Sequence, residues 1–253
     1  MKEYSIVIPA YNEADKISST LTQVVSFMRT FSQSYEVIVV DDGSRDTTAD
    51  MVAEFQKNNP EVLVVRNPHK GKSYAVYTGI TRAEGDLIYI CDADLSTPIT
   101  ELKKLVVWAK DQDFDVVIGS REGKGAQRIG EPAYRHMIGR IFNMLVQVLA
   151  LPGIKDSQCG FKLLKNNEAK HIFNNLIVYG PEAKITQKPF FGAFDVEVLY
   201  LARKYGYKIK EVPVIWRYVK TTRLNFIENS YKMARDVMKI RLNDIRGKYK
   251  VEA

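Results

Sequence analysis

Along the first 120 residues, short apolar runs alternate with stretches of helical spacing. Residues 4–9 form an apolar run stopped by Pro9, and helical spacing follows from 14 to about 28. The same pairing recurs: strands at 35–40, 61–66, the run entering Asp92, and 114–119, with helices at about 47–58, 73–83 and 99–110. Asp46 or Thr47 is placed to cap the second helix. Strands alternating with helices of ten to fifteen residues predict βαβ units and a mostly parallel central sheet. Runs apolar throughout, such as Leu87-Ile88-Tyr89-Ile90-Cys91, predict strands buried on both faces.

Beyond Ser120 the rhythm changes. Residues 121–132 read as a charged loop, 132–151 as a helix, 158–164 as a strand and 167–174 as a helix. An irregular loop at 178–192 precedes a helix at 193–204 and a strand at 209–216. Pro213 predicts that this last strand lies at a sheet edge. The helix at 226–245 is amphipathic, with Ile227, Tyr231, Ala234, Val237 or Met238, Arg241 or Leu242, and Ile245 along one stripe. No repeat or low-complexity linker interrupts the chain. It reads as one α/β domain over 1–224 in two functional halves, 1–120 and 121–224, followed by a basic amphipathic helix over 225–253.

Charge sharpens the division between the halves. Residues 1–120 hold 12 Lys/Arg against 18 Asp/Glu, whereas the remainder holds 25 against 12. An acidic half suits a cation, and a basic half suits anionic partners such as phosphorylated substrates or a membrane surface. Nucleic acid is disfavoured, because there is no helix-turn-helix, RNP signature or aromatic-basic interleaving. Cys91 and Cys159 lack metal spacing and imply a reducing compartment. The chain enters its first strand directly, without a visible signal peptide. The helix at 132–151, broken by Asn143 and Gln147, is too short and polar to span a bilayer.

The candidate chemistry begins at Asp92-Ala93-Asp94. Ligands of open α/β sheets sit at the carboxyl ends of strands. Two carboxylates delivered there repel one another unless a hard cation such as Mg²⁺ or Mn²⁺ joins them, and such an ion shares substrate phosphates readily. Lys70-Gly71-Lys72 reads as a solvated lysine pair in a turn, with a phosphate-holding Gly turn as the alternative, and His69, His136 and His171 as surface or packing residues. Trp108 and Trp216 read as core or strand-face residues.

Pro9-Ala10-Tyr11-Asn12-Glu13, Asp41-Asp42-Gly43-Ser44 and Asp92-Ala93-Asp94 resemble, in order and spacing, the family 2 glycosyltransferases of the GT-A (Rossmann-like) fold. Residues 156–162, Phe194-Asp195-Val196-Glu197 and Glu211-Val212-Pro213-Val214 narrow the resemblance to dolichyl-phosphate glucosyltransferases and the related polyprenyl-phosphate mannosyltransferases. The Gln-x-x-Arg-Trp signature of polymerising members is absent. The resemblance implies an inverting, metal-dependent hexosyl transfer from a UDP- or GDP-sugar to a polyprenyl (dolichyl-type) phosphate, with glucose preferred. Mannose from GDP-mannose, or a soluble or protein-bound acceptor, is the alternative.

Carried over residue by residue, it implies that Pro9, Ala10, Tyr11 and Glu13 line the nucleoside pocket. Asp42 lies on the base or ribose, while Asp41 holds the loop. Asp92, Ala93 and Asp94 meet the donor, with Asp92 and Asp94 as metal ligands. Arg217 and Arg223 clamp the diphosphate, with Lys220 nearby. Asp94, Asp156 and Arg121 form the catalytic set, and Arg121, Arg135 and Arg140 receive the acceptor phosphate. Ser96 stands where mannosyltransferase relatives often carry a metal-binding Gln, so water or donor oxygens complete the metal shell. The expected location is cytoplasmic, peripheral on the cytoplasmic face of a membrane, held by the chain's own surface or by a membrane partner subunit.

Overall fold

The computed structural model describes residues 2–182, 192–219 and 226–250, with no side-chain description for 226–230. Four parallel strands come first: β1 (Tyr4–Ala10), β2 (Tyr35–Asp41), β3 (Val62–Arg66) and β4 (Leu87–Ile90). The helices between them are α1 (Ile17–Phe31), α2 (Thr48–Lys57) and α3 (Lys72–Arg82). A 3-10 turn at Ile99–Glu101 leads into α4 (Leu102–Lys110), then β5 (Val116–Ser120), β6 (Gln127–Ile129), α5 (Ala133–Leu149), β7 (Lys162–Lys165) and α6 (Asn166–Asn174). The chain closes with α7 (Phe194–Lys204), β8 (Ile209–Pro213), β9 (Ile215–Arg217) and α8 (Phe226–Ile245).

The main sheet has the order β3-β2-β1-β4-β7-β5-β8. Only β7 runs antiparallel to its neighbours. Strands from before and after residue 120 interleave in it, so both stretches share one sheet. Between β1 and β4 the strand order reverses, and the carboxyl ends of β1, β2 and β4 open there into one crevice. Side chains alternate across the sheet, and the two faces build separate cores. Ile6, Ile8, Val37 and Val39 pack under α1, whereas Val7, Ile38, Val40 and Ile88 pack under α3 and α6. Gly79 lets α3 press onto β1, since a Cβ there would stand 2.3 Å from Val7 Cγ1.

Several boundaries differ from those read in the sequence. The strand expected at 158–164 starts only at Lys162, because residues 156–161 turn under the crevice. The strand expected at 209–216 breaks after Pro213, which cannot extend the ladder. Its first part is the sheet edge, as expected, and its second pairs with β6 in a separate two-stranded ribbon. β6 itself lies inside the stretch read as a charged loop. Asp46 secures the start of α2: its Oδ1 accepts Thr48 N–H at 3.0 Å, while Thr47 makes no side-chain cap bond.

The stripe expected along α8 is split by packing. Val237 and Ile240 are buried, while Tyr231, Met238, Leu242 and Ile245 face outward. Buried polar groups clasp this end of the chain. Glu197 accepts the N–H groups of Ile177, Val178 and Tyr179 and the Tyr249 hydroxyl at 2.7–2.9 Å. Tyr179 in turn donates to Asp236 of α8 at 2.8 Å. No described helix is long and apolar enough to cross a membrane.

Candidate active site

A cavity of about 580 Å³ opens over the strand ends. Its size is that of a small-molecule site. At one end stand Pro9, Ala10, Tyr11 and Glu13 from β1 and its following loop, with Asp42 and His69; at the other stand Arg135, Ile138, Arg140 and Phe142 of α5 and Met233 of α8. Asp92, Ala93, Asp94, Lys72, Arg121, Asp156 and Gln158 lie along its walls.

The β1 end of the cavity is shaped by local turns. Gly43 takes φ +71, and a Cβ there would meet His69 N at 2.8 Å. Tyr11 and His69 stack with ring centroids 4.2 Å apart, an aromatic ledge. His69 therefore packs as expected, and it also lines the cavity. Asp42 commits its carboxylate to the turn: Oδ1 accepts Lys70 N–H at 2.9 Å, and Oδ2 accepts Gly71 N–H and faces His69 Nδ1, both at 2.8 Å. Burial pushes the Asp42 carboxyl up despite these donors. Asp42 thus borders the cavity but holds the loop, a task expected of Asp41. Asp41 has a parallel one, accepting Ser44 N–H at 3.1 Å.

The turn held by Asp42 launches α3, and with it Lys72. Gly71 takes φ +96, which directs Lys72 into the cavity. Its ammonium pairs with Asp92. Lys72 is therefore a site residue, not half of a solvated pair. The available signal was a Gly-containing turn immediately before a helix, the arrangement that favours anions at a helix N-terminus.

Asp92 lies against Gly160, where a Cβ would stand 2.3 Å from Asp92 Oδ2. Burial pushes the Asp92 carboxyl up, but the Lys72 ammonium outweighs it and holds the group below its usual range. Asp94 is half-buried beside Asp92, and desolvation and that like charge push its carboxyl up. Ser96 N–H donates to Asp94 Oδ1 at 2.9 Å, which fixes its direction. Two adjacent carboxylates, one raised by burial and by its neighbour's charge, form a donor set suited to a cation. Among the described residues no cluster of three or more His, Cys, Asp or Glu side chains is placed to hold a metal. The pair still fits a Mg²⁺- or Mn²⁺-like ion, since such ions take one or two carboxylates and fill the rest of the shell with water and phosphate.

Gly160→Ala tests the close approach. The Cβ must displace the Asp92 carboxylate, so transfer is expected to fall at least tenfold, about 1.4 kcal/mol, with an unchanged circular dichroism spectrum. Normal turnover would mean that Asp92 need not sit against this backbone.

Arg121 and Asp156 form a bidentate pair, Nε to Oδ2 and Nη2 to Oδ1, both 2.8 Å, and the Arg121 backbone N–H adds a third bond at 2.8 Å. The Asp156 N–H donates to Glu211 Oε1 at 2.9 Å, and the Arg121 guanidinium lies 5.3 Å from the Trp216 ring centroid. Trp216 thus lines the cavity rather than serving only the strand face. Arg135 lies over Tyr218, and Arg140 Nη1 is 3.4 Å from Glu122. Arg128 of β6, which sequence reasoning missed within the charged loop, lines the same region and pairs with Glu122 and Glu131.

Arg217 is exposed and stands outside the cavity wall, though its N–H donates to Ser96 O at 2.7 Å beside the acid pair. Arg223 and Lys220 lie outside the described residues. Gln158 was also missed; its Nε2 is buried at the cavity without a hydrogen-bond partner. Cys91 and Cys159 are free and buried, and burial pushes the Cys159 thiol up to about 11, so neither is a nucleophile.

Residues 5–173 match the model of glycosyl transferase family 2. The chain belongs to this family. A dolichyl-phosphate beta-glucosyltransferase from Dictyostelium discoideum is 32% identical over 262 residues, covering 98% of this chain and 77% of the relative. A dolichyl-phosphate beta-glucosyltransferase from Homo sapiens is 31% identical, covering 99% and 78%. Among solved structures, the mannosyl-3-phosphoglycerate synthase from Rubrobacter xylanophilus has a TM-score of 0.68 at 18% identity, over 98% of this chain and 76% of that one. The glucosyl-3-phosphoglycerate synthase from Mycobacterium tuberculosis, in complex with Mn²⁺, uridine diphosphate and phosphoglyceric acid, has a TM-score of 0.62 at 18% identity, over 100% and 80%. These structural likenesses establish the shared α/β fold with its mostly parallel sheet.

Proposed function

We propose that this glycosyltransferase moves glucose from UDP-glucose to a polyprenyl (dolichyl-type) phosphate with inversion at the anomeric carbon. The observation that carries the proposal is the single cavity joining an acid pair at the β4 end to arginines on α5. The family relatives named above, dolichyl-phosphate beta-glucosyltransferases, support the choice of sugar and acceptor. The cytoplasmic face of a membrane is the proposed location, with residues 1–120 serving the donor and 121–224 the acceptor. Attachment there through the chain's own surface is preferred to attachment through a partner subunit.

The nucleoside lies against Pro9, Ala10, Tyr11 and Glu13, on the ledge made by Tyr11 and His69. Asp92 and Asp94 hold a divalent cation, which when bound neutralises charge on the donor diphosphate. Lys72 adds fixed positive charge for the diphosphate that leaves. An acceptor phosphate oxygen forms the new bond to C1 as the bond from C1 to the uridine diphosphate oxygen breaks. A phosphate monoester is already anionic, so the acceptor needs positioning rather than a strong base. Arg135 and Arg140 provide it, while Asp156 fixes Arg121 beside the reacting centre. An α-linked donor and a β-linked product are the marks of this single displacement.

A donor screen tests the donor side. UDP-glucose with Mn²⁺ is expected to raise the melting temperature more than GDP-mannose with Mn²⁺, and Lys72→Ala is expected to weaken UDP binding about tenfold, since a charge-assisted contact is worth roughly 1.5–3 kcal/mol. A preference for GDP-mannose would reassign the sugar. A second reading, a soluble phosphate acceptor, rests on the fold shared with the phosphoglycerate synthases.

A further inference from the structure

Helix α5 is built with its apolar side outward. Tyr134, Met137, Ile141, Met144 and Val148 follow one another at spacings of three and four, so they share one face. All five are exposed, Met144 by 62% and Val148 by 78%. A helix that covers a core does the reverse. Its other side borders the cavity through Ile138, Phe142 and the buried Asn143. Helix α8 packs beside α5 and repeats the feature: Tyr231 is 73% exposed and Ile245 69%, with Met238 and Leu242 between them also outward. Contiguous exposed apolar surface of this kind marks an interaction site.

Charge selects the occupant. Helix α5 carries Arg135 and Arg140 and no acid, and residues 226–250 hold seven Lys/Arg against three Asp/Glu. The acidic residues prevail instead in 1–120. An anionic surface therefore attracts this pair of helices. Apolar side chains flanked by basic ones are the composition of helices lying in the headgroup layer.

We propose that the outward face of α5 and α8 docks on an anionic lipid surface, and that an acceptor's hydrocarbon chain leaves the cavity past Phe142 and Met233 into that surface. The second half rests on the lipid-phosphate reading of the acceptor; the first does not. Phe142 and Met233 both border the cavity, one from each of the packed helices. Helix α5 is then a partition, with the reacting phosphate on one side and acyl chains on the other. Arg135 and Arg140 stand at headgroup depth on this geometry.

Co-sedimentation with phosphatidylcholine vesicles containing about 30% phosphatidylserine tests the docking, since anionic headgroups attract clustered basic residues. The full chain is expected to pellet with these vesicles and much less with pure phosphatidylcholine. The double substitution Met144→Glu, Val148→Glu and the single substitution Leu242→Glu place charge on the outer face alone. Each is expected to cut vesicle binding by about tenfold or more, since the apolar contact is lost. UDP binding and transfer to a water-soluble short-chain isoprenyl phosphate are expected to stay unchanged, while transfer to long-chain polyprenyl phosphate in vesicles falls with binding. A wild-type chain that stays in the supernatant overturns the proposal. So does one that forms a dimer split by these substitutions, because the face then belongs to a second copy. Vesicle binding without transfer to any isoprenyl phosphate would retain the docking surface and remove the lipid acceptor.

Discussion

Asp94→Asn is expected to abolish metal-dependent transfer, by a factor of about 100 to 1000, the range seen when one group that stabilises transition-state charge is removed. The substitution keeps the shape of the side chain and its bond from Ser96 N–H. It removes half the anionic charge of the pair. Folding is expected to be untouched or slightly improved, because burial and the neighbouring Asp92 both push the Asp94 carboxyl up, which means that its charged form is held at a cost. Turnover with and without Mn²⁺, read beside a thermal melt, checks this. Near-normal Mn²⁺-dependent turnover in a folded mutant would remove Asp94 from the cation site.

The largest effect on stability is expected at Arg121. Arg121→Ala leaves Asp156 as a buried carboxylate stripped of its partner, and breaking a buried pair from one side costs about 3–5 kcal/mol. For a chain of this size each kcal/mol moves the melting temperature by roughly 2–4 °C, so a fall of about 6–20 °C follows. Arg121→Lys is expected to recover only part of it, since an ammonium cannot reproduce the bidentate contact. Burial pushes the Asp156 carboxyl up, but Arg121 outweighs it and holds the group below its usual range. A carboxyl depressed in the fold stabilises fully above the unfolded value near about 3.9, and that contribution is lost as pH falls through the folded value. The difference in stability between wild type and Arg121→Ala is therefore expected to shrink only in acid. Calorimetry across pH reads this directly; a constant difference down to acid would assign the loss to packing against Trp216.

Local pattern carries far in this chain. The strand runs into Ala10, Asp41 and Asp92 were legible because strands buried on both faces are apolar throughout, and their carboxyl ends locate the crevice. Helices α3, α6, α7 and α8 were legible from their spacing. What sequence periodicity could not supply was pairing between distant segments. The β6–β9 ribbon joins two three-residue strands some ninety positions apart, too short for any pattern. Strand β7 begins four residues later than its apolar run because residues 156–161 are taken up by Asp156, Gln158 and Gly160 at the cavity. The same limit applied to Lys72 and His69. Lys72 read first as solvated and His69 as a surface or packing residue, and both join the site because Asp42 ties their turn over the crevice. Arg121 and Asp156 were legible as site residues, but not as a pair, since thirty-five positions separate them.

The acceptor separates a lipid-linked product from a soluble one. The decisive measurement is incubation of the full chain with labelled UDP-glucose, Mn²⁺ and detergent-dispersed polyprenyl phosphate, followed by organic extraction and assignment of the anomeric linkage. The prediction is a β-linked glucosyl phospholipid in the organic phase, dependent on Mn²⁺ and absent with Asp94→Asn. Label that never enters the lipid, while 3-phosphoglycerate or another soluble phosphate is glucosylated under the same conditions, would contradict it.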